Sequence, residues 1–397
     1  MKILQINSVC GYGSTGRIVT DLADVLIANG HECRIAYGRC TAPEKYKQIS
    51  IRIGSDFDVK VHGAMTRIFD KQGFCSWRAT EMFLQWMEAY SPDVVHLHNL
   101  HGYYINVQKL FEYLKTHKQK VVWTLHDCWA FTGHCAYFDY IGCERWKTGC
   151  FSCPQKREYP ASIAFDASKN NWIHKKEAFT GVEDLTIVTP SEWLATLVRE
   201  SFLKEYPVKV INNGIDLERF YPLKNDFKEF YKLEDKKILL GVASVWDKRK
   251  GLEDFIKLAG LIDDSYRIVL VGLTEAQISE MPKNVVGLKK TNSIKELAAI
   301  YSSADWFLNL TYSDTYPTVN LEAIACGCQV ITYDTGGSIE SVREYGGVVV
   351  NKGDIQSIKD IIYTNRSGLK NKMKEKHSKT YFARKYCEEL EGGGIST

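Results

Sequence analysis

Two carboxylates, Asp314 and Glu322, stand eight residues apart in the stretch "SDTYPTVNLEAIACGCQVITYDTGG", Ser313 to Gly337. Pro317 precedes a helix-like run that begins near Thr318, so Asp314 falls in a loop and Glu322 about one turn into the helix. A carboxylate at that place can accept two hydrogen bonds from a vicinal diol. The backbone N–H groups of Thr318 and Val319 have no partner inside their own helix and are free to meet phosphate oxygens. A glutamate that only stabilises a helix would explain Glu322, but not the whole set.

Other stretches carry related chemistry. In "SVWDKRKGLEDFI", Lys248, Arg249 and Lys250 open a helix just past a strand-like run. The helix dipole and the cations together favour a diphosphate there, whereas an ordinary charge run is a solvated face. Gly11, Gly13 and Gly16 spell G-x-G-x-x-G after the first strand-like run, a pattern that brings backbone N–H groups up to a phosphate. The same glycines would also make a bare tight turn. A dinucleotide site needs an acid at the end of the second strand, and "ECRIAYGRC" ends without one, so NAD is set aside.

"WTLHDCW" puts His126 and Asp127 at the C-terminal end of a strand. His126 there can donate to a sugar hydroxyl or a phosphate oxygen, with Asp127 steadying the loop. In "HLHNLHG", His96 and His98 share one face of a strand, and we read them, with His101, as hydrogen-bonded strand-end residues rather than a metal cluster. Cys135, Cys143, Cys150 and Cys153 follow C-x7-C-x6-C-x2-C. Four thiolates would close a structural zinc site, leaving no open position for catalysis. The other readings are buried small hydrophobes, or disulfides in an oxidising compartment.

These residues need a scaffold, and the rest of the chain supplies one. Its 397 residues allow two domains with separate cores, and a net charge of +3 spread over both halves argues against nucleic acid as the main partner. No run approaches the roughly 18 apolar residues of a membrane span. The start "MKILQINSVCGYG" lacks the features of a secretory signal, so a cytoplasmic protein with reduced thiols is expected.

Strand-like runs ("KILQIN", "ECRIAYG", "DVVHLH", "KVVWTLHD", "LTIVTPS", then "KKILLGVAS", "YRIVLVG", "NVVGLKK", "DWFLNL", "QVITYD", "GVVVN") alternate with amphipathic ones such as "GRIVTDLADVLIANG". This predicts α/β architecture, two doubly wound Rossmann-like domains facing across a cleft, with ligands beyond the carboxyl ends of the strands. "NKMKEKHSKTYFARKYCEELEGG" reads as a charged amphipathic helix before a disordered Gly-rich tail.

Taken together, the glycine loop, "HD", "VINNGIDLERF", "RKGLEDFI" and "TYPTVNLEAIACGCQVITYDTGG" make nearly the whole chain resemble a GT-B fold, retaining glycosyltransferase of family 4. The cysteine-rich insert is similar to that of a subset acting in bacterial surface-polysaccharide (exopolysaccharide) assembly. The resemblance implies residues 1–205 as an acceptor-side domain with the insert near 128–154, and 206–222 as a linker. It further implies 223–375 as a nucleotide-sugar-binding domain, and 376–397 as a helix and tail crossing back to the first. Glu322 would bind the ribose, Lys250 the diphosphate with Arg249 as helper, and Thr318 and Val319 would add backbone donors.

Asp314 would stand near the donor sugar, His126 would contact that sugar, and the Gly11–Gly16 loop would approach phosphate or acceptor. A UDP- or GDP-sugar donor is implied as substrate, with no cofactor for catalysis. The acceptor would be a glycan or polyprenyl-linked oligosaccharide, with peripheral contact at the inner membrane face. Arg67, Lys71, Trp77 and Arg78 can touch that surface, although a solvated helix face explains them too. The family pattern is altered at three places: Asp314 replaces the first Glu, Tyr316-Pro317 replaces "FG", and Val245 stands where Arg is common. Two other classes stay open, a nucleotide-sugar epimerase of the same architecture and a catalytically silent glycan- or transferase-binding partner.

Overall fold

Continuous apolar runs cannot leave one face in water, and here they form strands whose residues are buried throughout, such as Leu185–Thr189 and Trp306–Asn309. The protein, a computed structural model described over residues 1–364 and 373–392, divides into two units. One contains Met1–Asn212 and the chain from Phe382 on; the other is Asn213–Tyr381.

The first unit holds strands β1 (Lys2–Val9), β2 (Glu32–Arg39), β3 (Ser50–Arg52), β4 (Val94–Leu97), β5 (Lys120–Thr124), β6 (Leu185–Thr189) and β7 (Val208–Val210). They make one parallel sheet in the order β3-β2-β1-β4-β5-β6-β7. The second unit holds β8 (Lys237–Val242), β9 (Tyr266–Val271), β10 (Val285–Leu288), β11 (Trp306–Asn309), β12 (Gln329–Tyr333) and β13 (Val348–Val350). Its sheet is also parallel, ordered β10-β9-β8-β11-β12-β13. In each sheet the winding reverses once, between β1 and β4 and between β8 and β11. Such a reversal opens a crevice at the carboxyl ends of the two strands, where their following loops part.

Helix α1 (Gly13–Ala28) buries Ile18, Val19, Leu22 and Leu26 against the first sheet and stops at Asn29, before Gly30 at φ +84°. Each sheet carries apolar cores on both faces. All eleven anticipated strands are present. The two missed ones, β3 and β7, are three-residue edges with no fully buried side chain. Val208–Val210 thus gives a strand to the stretch read as linker.

The C-terminal helix is shorter than read, Lys379–Leu390, after a single 3-10 turn at Glu375–His377; Asn371 and Lys372 lie outside the described residues. So does the Gly-rich tail. From Phe382 onward this helix completes the first unit, with Phe382, Tyr386 and Leu390 in one core with Ile3 and Val122. Tyr386 Oη lies 3.0 Å from Thr124 Oγ1, and Lys209 pairs with Glu389. Among the described residues no helix is long and apolar enough to cross a membrane.

Tyr386→Ala deletes a ring that is 1% exposed together with its hydroxyl contact. We expect the first unit to lose about 3 kcal/mol of stability, read as an earlier first transition in urea while the second unit is unmoved.

Candidate active site

In the second unit, the turn after β8 and the loop after β11 meet at the crevice between those strands. Asp247 starts the turn by accepting the Lys250 N–H at 3.0 Å, which holds Lys248–Lys250 in one 3-10 turn. Gly251 follows at φ +74°, so close to the other loop that a Cβ would lie 2.2 Å from the Leu310 carbonyl oxygen. Backbone bonds then lace the two: Tyr312 N donates to Arg249 O at 2.7 Å, and the Arg249 guanidinium donates to Ser313 O at 2.8 Å.

This registration sets Lys250 Nζ 2.7 Å from Asp314 Oδ2, 64 residues on, with both side chains largely buried. Burial works to raise the Asp314 carboxyl, but Lys250 and then Arg249 outweigh it and hold it below the usual carboxylate range. The Gly336–Gly337 pair covers the same residue: Gly337 N donates to Asp314 O at 3.1 Å, and a Cβ on Gly336 would meet that oxygen at 2.1 Å.

The loop continues into helix Thr318–Ala325, whose N-cap is Pro317 and which has no side-chain cap. The N–H groups of Thr318 and Val319 therefore point out of an uncapped positive end. Glu322 is buried on this helix, and Tyr301 Oη donates to its Oε2 at 3.0 Å. The structure thus brings Arg249, Lys250 and Asp314 into one cluster, with Thr318, Val319 and Glu322 on the helix that the same loop leads into.

In the first unit, Gly11 N bonds to Gly16 O at 3.1 Å, and side chains at Gly11 or Gly16 would strike Pro43 or the loop backbone. Those two glycines serve a tight turn, while Gly13, at φ +65°, opens α1 beside open space and without a side-chain cap. His96 and His98 are buried and bond to Thr124 Oγ1 (2.8 Å) and Gln5 Oε1 (3.3 Å). His126 Nε2 lies 3.2 Å from His98 Nδ1, and burial lowers its pKa to about 4, so a neutral imidazole stands at this edge.

Sequence reasoning missed one pairing. His101 Nε2 lies 2.7 Å from Asp127 Oδ2, and His101 Nδ1 lies 2.9 Å from Tyr159 Oη. Asp127 also accepts the Trp129 N–H at 2.9 Å, so it steadies the loop and the histidine at once. The available signal was position: His101 follows β4 and Asp127 follows β5, at the same sheet edge.

The zinc expectation is corrected. Cys135, Cys143, Cys150 and Cys153 do line one small cavity with His134. Among the described residues, however, no three His, Cys, Asp or Glu side chains are grouped to hold a metal ion. Cys135 and Cys153 hydrogen-bond to each other, and Cys150 Sγ accepts the Gly133 N–H at 3.2 Å. Burial pushes the Cys150 thiol up to about 11, so it packs as a protonated small side chain, and all twelve cysteines are free.

Comparison with known proteins agrees with this geometry. The family model described as Glycosyltransferase Family 4 matches residues 15–219, and that described as Glycosyl transferases group 1 matches residues 224–380. WcaC of Escherichia coli K12, whose name assigns it to colanic acid biosynthesis as a glycosyl transferase, is 26% identical over 89% of this chain and 88% of its own. A Campylobacter jejuni protein is 27% identical over 39% of this chain and 44% of its own. It is named as an N-acetylgalactosaminyltransferase acting on N,N'-diacetylbacillosaminyl-diphospho-undecaprenol. Anabaena HepE, solved with UDP-glucose, superposes with a TM-score of 0.67 at 15% identity over 99% of this chain and 100% of its own. The two-domain α/β architecture is that of the GT-B fold.

Two outcomes test the electrostatics. Lys250→Ala leaves Asp314 buried without its cation, and we expect a cost of about 1–3 kcal/mol in urea unfolding near neutral pH. Because the folded carboxyl titrates below its unfolded value, its contribution is present above that value and lost as pH falls through the folded one; the variant should lack this acid dependence. Separately, His62, His96 and His126 have folded pKa values lowered to about 4, 3 and 4. At about pH 5 they are neutral when folded and protonated when unfolded, so unfolding should take up about three protons from these groups and Tm should fall steeply below about pH 6.5. A flat Tm profile from pH 7 to about pH 5 would refute it.

Proposed function

The chain belongs to glycosyltransferase family 4, and on that premise we propose that it transfers a sugar from a UDP- or GDP-linked donor during polysaccharide assembly. The acceptor is a glycan or polyprenyl-linked oligosaccharide, and transfer retains the anomeric configuration. The observation that carries this reading is the Lys250–Asp314 pair at the winding reversal of the second sheet, next to an uncapped helix end. The names of WcaC, the undecaprenol-linked transferase and the UDP-glucose complex support the pathway, acceptor and donor class respectively.

In this reading Lys250 and Arg249 meet the donor diphosphate, and the Thr318 and Val319 N–H groups add two further donors. Binding exchanges one partner of Lys250 for another: the phosphate takes the ammonium, and Asp314 turns to a hydroxyl of the donor sugar. Glu322, oriented through Oε2 by Tyr301, takes the ribose diol. His126 contacts the sugar as a neutral imidazole, the Gly11–Gly16 loop approaches phosphate or acceptor, and His101, held by Asp127, is assigned the acceptor hydroxyl.

The acceptor oxygen attacks the anomeric carbon on the face from which the diphosphate leaves. The bond from carbon to the leaving oxygen breaks as the new glycosidic bond forms, and the acceptor proton passes to a leaving-group phosphate oxygen. Lys250 and Arg249 stabilise the charge that grows on that diphosphate.

Thermal unfolding with UDP, GDP, dTDP, CMP and NAD tests the donor class. One nucleoside diphosphate at about a hundred times its Kd should stabilise the parent by about 2.7 kcal/mol, and Lys250→Ala should lose the shift. NMR of the product anomer then tests retention, and an inverted product removes that mechanism. Donor conversion without acceptor would mark an epimerase, and no nucleotide shift at all would mark a silent partner.

A further inference from the structure

The proposed chemistry leaves the cysteine-rich insert without a role, and its attachment to helix α2 (Asp56–Phe69) suggests one. Asp70 ends α2 in the left-handed region, fully buried, and gathers the insert around itself. Its Oδ1 lies 2.7 Å from His134 Nδ1, its Oδ2 accepts the Ala167 N–H at 3.0 Å, and its carbonyl accepts from Asn171 Nδ2 at 2.6 Å. The last carbonyls of α2 are taken by the loop at Ser162–Phe165: Ile163 N donates to Arg67 O at 2.6 Å and Phe165 N to Ile68 O at 3.0 Å.

A loop this well tied exposes its side chains by construction. Ile163 is 67% exposed and Phe165 58%. Phe165 stacks on Phe69 with ring centroids 5.5 Å apart and the planes 16° from parallel. Along α2 the outward residues are Phe57 (74% exposed), Val61, Ala64 and Ile68, spaced i, i+4, i+7 and i+11 and therefore on one face. Lys60 and Arg67 flank that face, and neither forms an ion pair among the described residues.

The nearby acids are committed elsewhere. Asp56 pairs with Arg52, Asp58 closes the capping box with Ser55, and Asp166 accepts the Cys153 and Ser168 N–H groups. Trp77, by contrast, is exposed but lies beneath Lys109, 4.8 Å from its ring centroid, and is not part of the patch.

We propose that α2 and the Ser162–Phe165 loop form one interfacial surface that seats on a bilayer rich in anionic phospholipid. A contiguous patch of aromatic and aliphatic side chains with flanking, unpaired cations matches the headgroup–acyl boundary, where apolar groups enter and Lys and Arg reach lipid phosphates. The insert's role is to enlarge and orient this surface. The inference rests on the lipid-linked acceptor of the preceding reading, for which such seating would bring the enzyme to its substrate.

The test is co-sedimentation of the full chain with vesicles of phosphatidylcholine alone and with added phosphatidylglycerol. Binding is expected only with phosphatidylglycerol, weakening as salt rises. Ile163→Ser with Phe165→Ser, and Phe57→Ser with Val61→Ser, should each reduce partition about tenfold or more. Lys60→Glu with Arg67→Glu should reduce binding to the anionic vesicles. Circular dichroism confirms that each variant is folded. The nucleotide-induced Tm shift, measured on the same samples, should not change in any of them, so failure here is separable from failure of the transferase reading. The proposal is overturned if the parent does not sediment with anionic vesicles, or if the apolar variants sediment as it does. Light scattering that finds a dimer dissolved by Ile163→Ser with Phe165→Ser would assign the face to a second copy instead.

Discussion

In a wholly parallel sheet every strand hands the chain over at the same edge, and this constraint governs where chemistry can occur in the molecule. Each of the two sheets obeys it without exception, and each reverses its winding once. The Lys248–Lys250 turn and the Asp314 loop leave adjacent strands, β8 and β11, so they are forced together although the residues are 64 apart. His101 and Asp127 meet for the same reason after β4 and β5. Glycines allow the final approach: Gly251 and Gly336 sit where any side chain would collide with a carbonyl of the facing loop.

The second regularity is electrical. Charges withdrawn from water are given partners rather than left to bulk solvent, as their desolvation requires. Lys250 and Asp314, His101 and Asp127, and His134 and Asp70 are each within 2.7 Å. Lys175 is fully buried, donates to the Trp129 and Thr132 carbonyls at 2.8 and 3.0 Å, and stands 3.5 Å over the Trp129 ring. Burial lowers its pKa to about 7. Paired groups can exchange partners at low cost, which suits Lys250 and Asp314; Asp70 has three protein partners and suits a fixed joint.

Much of this was legible in the residues. Buried strands announced themselves through unbroken apolar runs, and Lys250, Asp314 and Glu322 through their places at strand and helix ends. What spacing cannot convey is which distant loops touch, so Lys250 with Asp314 and His101 with Asp127 emerged only from the sheet order. Edges β3 and β7 hid because partly solvated three-residue strands have no hydrophobic signature. The cysteine spacing was visible, yet thiols that bond to each other and to a backbone N–H fill space instead of binding metal. In the same insert, the apolar residues Ile163 and Phe165 drew no notice, because exposure is a property of the folded surface.

The helix that ends the described chain has a consequence for how the protein is made. The first unit contains the N-terminal strands, but part of its core, Phe382, Tyr386 and Leu390, is the last to be synthesised. Domains ordinarily fold as they leave the ribosome, first to last. Here the leading half must wait, its Val122 and Ile3 face uncovered, while the intervening unit is translated and free to fold on its own. A nascent chain arrested before residue 382 would therefore carry a finished second unit and an unfinished first, a natural substrate for chaperones during elongation.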